Sequence, residues 1–145
     1  MPTGYNYAQK SKTSNHISPS IVALQISIRE SGDITILDLQ GRATISDGES
    51  DLLRTELERL TASGARKFLL NLAELTHVDS SGFSVIVKVC AELRGQGGDL
   101  RFIRPTGRAL LAFNVLRLLD LIPTFDTENE ALASFLAEEG RVAEP

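Results

Sequence analysis

The segment Leu72-Ala73-Glu74-Leu75-Thr76-His77-Val78-Asp79-Ser80-Ser81-Gly82-Phe83 holds the densest set of reactive side chains in the 145-residue chain. An acid is followed at once by two hydroxyls and a glycine, with a histidine just ahead. Two kinds of chemistry use such groups. A serine attacks as a nucleophile when a base activates it and donors await the oxyanion. Alternatively, a serine at a helix N-terminus caps the helix or stands ready for modification, because free N–H groups and partial positive charge gather there. The nucleophile reading is poorly supplied. Gly-x-Ser-x-Gly is absent, and His77 precedes Ser80 with no identifiable third partner. The cap reading suits either Ser80 or Ser81. Two successive hydroxyls exceed what one cap requires, and Gly82 keeps the first turn small enough for another molecule to approach.

Other chemistries find less. Gly95-Gln96-Gly97-Gly98 follows an expected helix and precedes an expected strand, the reverse of a dinucleotide fingerprint. No Gly-x-x-x-x-Gly-Lys-Ser/Thr stretch exists. The single cysteine, Cys90, rules out an internal disulfide and a Cys-cluster zinc site. It falls on an apolar helix face, which reads as a buried, inert thiol. His16 and His77 are the only histidines, so no metal centre is expected. Glu138-Glu139 reads as a solvated pair. With 15 basic and 19 acidic residues the formal charge is −4, and no Lys/Arg run offers a phosphate-binding surface, so nucleic acid is not an expected partner. No apolar run of about 18 residues predicts a membrane span. The N-terminus lacks the apolar core of a signal peptide, and the expected location is cytoplasmic.

These residues need a scaffold. Hydrophobic residues form 42% and charged residues 23% of the chain, which suits one globular domain. Residues 1–20 contain Lys10 and Lys12, no acid and little apolar surface, and read as a flexible extension. Residues 21–138 read as the domain and 139–145 as a frayed tail. Leu24, Ile26 and Ile28 alternate with polar neighbours, as do Ile34, Ile36 and Leu37-Asp38-Leu39, around a turn at Ser31-Gly32-Asp33. That pattern predicts an antiparallel hairpin ending at Gly41. Leu52, Leu53, Leu57 and Leu60 predict a helix with Arg54, Glu56, Glu58 and Arg59 outward. Phe68-Leu69-Leu70-Asn71-Leu72 predicts a central buried strand. The next helix places Phe83, Ile86, Val87, Cys90 and Leu93 inward, thickened by Val85 and Val89.

Leu100-Arg101-Phe102-Ile103 predicts a strand. A helix starting at Pro105-Thr106 follows, with Leu110, Phe113, Leu116 and Leu119 inward. Pro123-Thr124-Phe125 predicts a short edge strand, and Thr127 caps a last helix through Ala137. The order predicts an α/β fold. A mixed sheet of about five strands has its first hairpin antiparallel and the rest largely parallel, with about four helices mainly on one face.

With Val78-Asp79-Ser80-Ser81-Gly82 in this order of elements, the chain resembles the STAS domains of bacterial anti-sigma factor antagonists over roughly Leu24 to Leu136. Leu39-Gln40-Gly41-Arg42, Leu69-Leu70-Asn71-Leu72, Gly95-Gln96-Gly97-Gly98-Asp99-Leu100 and Leu119-Asp120-Leu121-Ile122-Pro123-Thr124-Phe125-Asp126 add to the likeness. The resemblance implies a non-enzymatic switch without a cofactor of its own. Ser80 is the implied phosphoacceptor, shaped by Asp79, Ser81 and Gly82. The implied partners are an anti-sigma factor serine kinase, which supplies magnesium and ATP, and a serine phosphatase. The unmodified domain binds the kinase and frees a sigma factor.

Arg42, Thr44, Ser46 and Asp47 are expected to form a second contact region, extended by Ser84 and Lys88. The family's usual acid in the loop after Gly41 is replaced near Thr44, Phe83-Ser84 stands for Leu-Gly, and Arg117 stands for a usual Gly. A homodimer is a further expectation. The alternative from another class is a STAS accessory subunit of a lipid or solute ABC transport complex. The third reading is a hydrolase using Ser80.

Overall fold

The apolar alternation of the first hairpin folds as its pattern demands. In the computed structural model, which describes residues 24–43 and 49–142, β1 (Gln25–Ser31) pairs antiparallel with β2 (Ile34–Ala43) from Gln25↔Gln40 to Ser31↔Ile34. Gly32 opens the two-residue loop at φ +60°, a conformation that glycine adopts without a Cβ clash. Four further segments then alternate helix and strand. They are α1 (Glu49–Ala62), β3 (Lys67–Val78), α2 (Ser80–Gly95) and β4 (Asp99–Ile103). The chain continues through α3 (Gly107–Val115), a one-turn α4 (Leu118–Leu121), β5 (Thr124–Phe125) and α5 (Glu128–Val142). The sheet order is β1-β2-β3-β4-β5, parallel from β2 onward, because each of those strands reaches the next through a helical crossover.

Two cores flank the sheet. On the front, Leu37 and Leu39, Phe68, Leu70 and Leu72, and Leu100 and Phe102 meet the helices through Leu53, Leu57, Phe83, Ile86, Cys90 and Phe113. On the back, Ile34, Ile36, Leu69 and Ile103 meet Ala131 and Phe135 of α5. Successive residues of a strand face opposite sides, so the unbroken Phe68-Leu69-Leu70 run fills both cores. With α1, α2 and α3 in front and α5 behind, the helices lie mainly on one face as expected, and the one-turn α4 is a fifth.

The back helix is tied by polar side chains as well. Arg101 is 4% exposed. Its guanidinium lies 4.2 Å from the Phe135 ring centroid and donates to Ser134 Oγ at 2.5 Å and Asp99 Oδ2 at 3.2 Å. Near the start of α5, Arg29 donates to both Asp38 (2.6 Å) and Glu128 (2.9 Å), and Asn71 donates to Asp38 at 2.8 Å. Thr127 caps α5, its Oγ1 accepting from Glu130 N at 3.1 Å.

Several expectations change. Gly41 does not end β2. It sits at φ +99° beside a register shift, and the strand resumes to Ala43. β3 likewise continues past Leu72 to Val78 because the resumed β2 gives it a partner. Glu56 is not outward. It is 1% exposed and pairs with Arg59, whose Nε lies 3.0 Å from Glu56 Oε2. Val89, more than Val87, is buried on α2. Leu116 is not inward, since α3 stops at Val115 and Arg117 turns the chain with φ +57°. The last helix runs beyond Ala137 to Val142.

Candidate functional site

The ends of β2 and β3 bring the candidate residues together. After the register shift at Gly41, Arg42 pairs with His77 and Ala43 with Val78. Thr76 Oγ1 donates to Gly41 O at 2.9 Å and lies 3.1 Å from His77 Nδ1. The backbone that leads toward Thr44 therefore leaves the sheet beside the residues that lead into Asp79 and Ser80. Thr44, Ser46 and Asp47 themselves lie outside the described residues, as does the expected extension at residues 1–20.

Asp79 caps α2, in place of the expected Ser80 or Ser81. Its backbone is extended (φ −109°, ψ −175°), and Oδ1 accepts from Ser81 N at 3.0 Å, Gly82 N at 3.2 Å and Ser81 Oγ at 2.5 Å. Phe83 N closes the first turn on Asp79 O at 3.1 Å. The consequence for the two hydroxyls is opposite. Ser81 is half-buried and bound to the cap, whereas Ser80, the first helical residue, is exposed. Gly82 is buried beneath them, so its small size serves packing of the turn.

Ser80 also forms one rim of an open groove of about 430 Å³, lined by Ser80, Phe83, Ser84, Val87, Lys88 and Leu116. Ser84 and Lys88 follow Ser80 at successive one-turn spacings, so the helix itself aligns them. Phe83 is held from below by Phe113, edge to face at 4.9 Å between centroids. Leu116 supplies the opposite wall. The structure thus gathers Ser80, Ser84 and Lys88 on one face and places Arg42 at the neighbouring strand end. Leu116 escaped the sequence reading. The replacement of a usual Gly by Arg117 was the available cue, because that position is a left-handed turn that ends the helix before Leu116 turns inward.

His77 Nδ1 is engaged with Thr76, and Asp79 is engaged with the helix N-terminus. Among the described residues there is no group of three His, Cys, Asp or Glu able to hold a metal ion. Burial pushes the Cys90 thiol up, away from the reactive thiolate. Among the described residues no helix is long and apolar enough to cross a membrane.

The STAS domain family matches residues 25–131, and the chain belongs to that family. BtrV of Bordetella bronchiseptica, named an anti-sigma factor antagonist, is 26% identical over 97 residues, 67% of this chain and 82% of its own. The structure of the Thermotoga maritima protein tm1081 superposes with a TM-score of 0.69 at 20% identity, covering 75% of this chain and 92% of that one. Bacillus SpoIIAA in its phosphorylated form gives 0.59 at 20% identity, over 78% and 99% of the two chains.

Proposed function

We propose that this protein is an anti-sigma factor antagonist switched by phosphorylation of Ser80. In its unmodified form it binds a serine kinase that doubles as an anti-sigma factor, and so releases a sigma factor. The kinase then modifies Ser80 and ends the binding, and a serine phosphatase restores it. The cytoplasm is the setting this cycle requires. The observation that carries the reading is the division of labour between adjacent hydroxyls: Ser81 is held by Asp79, and Ser80 alone is offered to solvent. BtrV and SpoIIAA are both named anti-sigma factor antagonists, and SpoIIAA is known in a phosphorylated form, which favours this reading over a transporter subunit.

A phosphate adds roughly −1.5 to −2 charges at neutral pH. A bare helix N-terminus welcomes an anion. Here Asp79 already takes the N–H groups of Ser81 and Gly82, so the new dianion meets a carboxylate instead of unclaimed donors. The charge change therefore falls on the surface a partner must cover. Loss of about 1.4 kcal/mol of binding is tenfold in affinity, so a few such units release the partner.

The test uses purified anti-sigma-type serine kinases from the same organism, with magnesium and ATP. Mass spectrometry is expected to place one phosphate on Ser80 with the cognate kinase. Unchanged modification of Ser80→Ala, or equal capture of the kinase by wild type and the phosphorylated protein, rejects the proposal.

A further inference from the structure

We infer that the groove beside Ser80 receives an apolar side chain from the partner kinase, on a segment that also presents a carboxylate to Lys88, and that Leu116 is the residue that sets which partner fits. This rests on the switch reading above and names the chemistry that its partner must bring.

The groove follows α2 from Ser80 to Lys88, about 12 Å at 1.5 Å per residue, the length of two turns of a facing helix. Phe83, Val87 and Leu116 make its interior apolar, and Lys88 is the one charged residue among the described residues that line it. Among the described residues that ammonium has no ion-pair partner. The groove is open along its length, whereas small-molecule pockets enclose most of a ligand's surface. An open apolar trough suits a side chain standing on a second protein. Exposed apolar side chains also crowd the stretch that leads to the groove wall, with Leu111 67%, Val115 77% and Leu116 51% exposed. Single exposed apolar residues are ordinary, but several on one short stretch mark a contact surface.

Charge decides between occupants. Residues 1–23 carry Lys10 and Lys12 and no acid, so that segment has no carboxylate to offer Lys88. A second copy facing its own groove brings another Lys88, and the described lining residues include no acid. A different protein with an apolar–acidic segment matches both features. Ser80 lines the groove, so a phosphate there takes up space that the partner's side chain would fill. Docking and modification thereby exclude each other at one place.

The experiment takes the kinase that modifies Ser80 in the test above. It measures that kinase's Kd for the full-length wild type, Leu116→Glu, Leu116→Gln and Lys88→Glu, each checked for an unchanged unfolding transition. Leu116→Glu is expected to weaken binding at least tenfold and Lys88→Glu several-fold. A charge-reversed acid on the kinase is expected to restore Lys88→Glu. Wild-type affinity in all three variants, with Ser80 still modified, overturns the groove proposal and leaves the switch intact. Loss of self-association in Leu116→Glu with kinase affinity unchanged assigns the groove to a second copy and overturns it also. If no kinase modifies Ser80, the switch reading falls and takes the groove proposal with it.

Discussion

The back of the sheet and the carboxyl end of its front treat polar side chains in opposite ways. Behind, Arg29, Asp38, Asn71 and Glu128 close on one another, and Arg101 is enclosed by Ser134, Asp99 and Phe135. In front, Ser80, Ser84 and Lys88 stand at the rim of an apolar trough. Polar groups that satisfy one another hold α5 in place. Polar groups left outward hold nothing, and are available to another molecule. The contrast teaches where substitutions should damage the fold and where they should damage recognition.

The largest expected loss of stability lies behind. Arg101→Ala removes a buried guanidinium, its ring contact and two hydrogen bonds, and should lower unfolding free energy by roughly 2–4 kcal/mol in urea titration. Phosphorylation of Ser80 should proceed unchanged below the unfolding transition. A variant that folds normally but resists the kinase would break the separation of the two regions. Asp79→Ala comes next, at about 1 kcal/mol, the usual worth of an N-cap. It differs from Arg101→Ala in also freeing Ser81, so mass spectrometry should find some modification shifted to that residue.

Asp38→Asn should lose about 1 kcal/mol at neutral pH. Burial pulls Asp38 upward, but hydrogen bonds from Arg29 and Asn71 prevail and hold its carboxyl below the usual range. A depressed folded-state pKa stabilises above the unfolded value, about 3.9, and that stability disappears as pH falls through the folded value. The gap between wild type and Asp38→Asn should therefore close below about pH 4. The smallest effect on the fold is Ser80→Ala, within about 0.5 kcal/mol in the same titration. It should nonetheless abolish phosphate incorporation. That pairing of a negligible structural effect with a complete functional one is the sharpest form of the contrast.

Much of this was legible from the residues. The β1–β2 hairpin, the doubly buried start of β3, the last capping box and the motif at the head of α2 all follow from local pattern. The failures have physical causes. Gly41 looked like a stop, but a bulge with positive φ lets β2 resume and carries β3 along to Val78. Asp79, Ser80 and Ser81 are similar in capping preference, so no single-residue rule chooses among them. The fold chose Asp79, and that choice is what leaves Ser80 exposed. Glu56 looked outward because its charge suggested solvent, and the ion pair of its Oε2 with Arg59 is one the helical pattern does not advertise. Leu116 fitted the helical period but lies just past the end of α3, ahead of the turn at Arg117, so periodicity was followed one step too far.

Because Gln25 pairs with Gln40 in an antiparallel ladder, β1 starts at the pole of the sheet from which the β2 and β3 ends lead toward Ser80, while α5 runs toward the other pole, from Glu128 by Asp38 to Phe135 by Arg101. On the proposed switch, β1 therefore begins at the same pole as the kinase's docking place, and an amino-terminal fusion is expected to hinder docking more than a carboxy-terminal one.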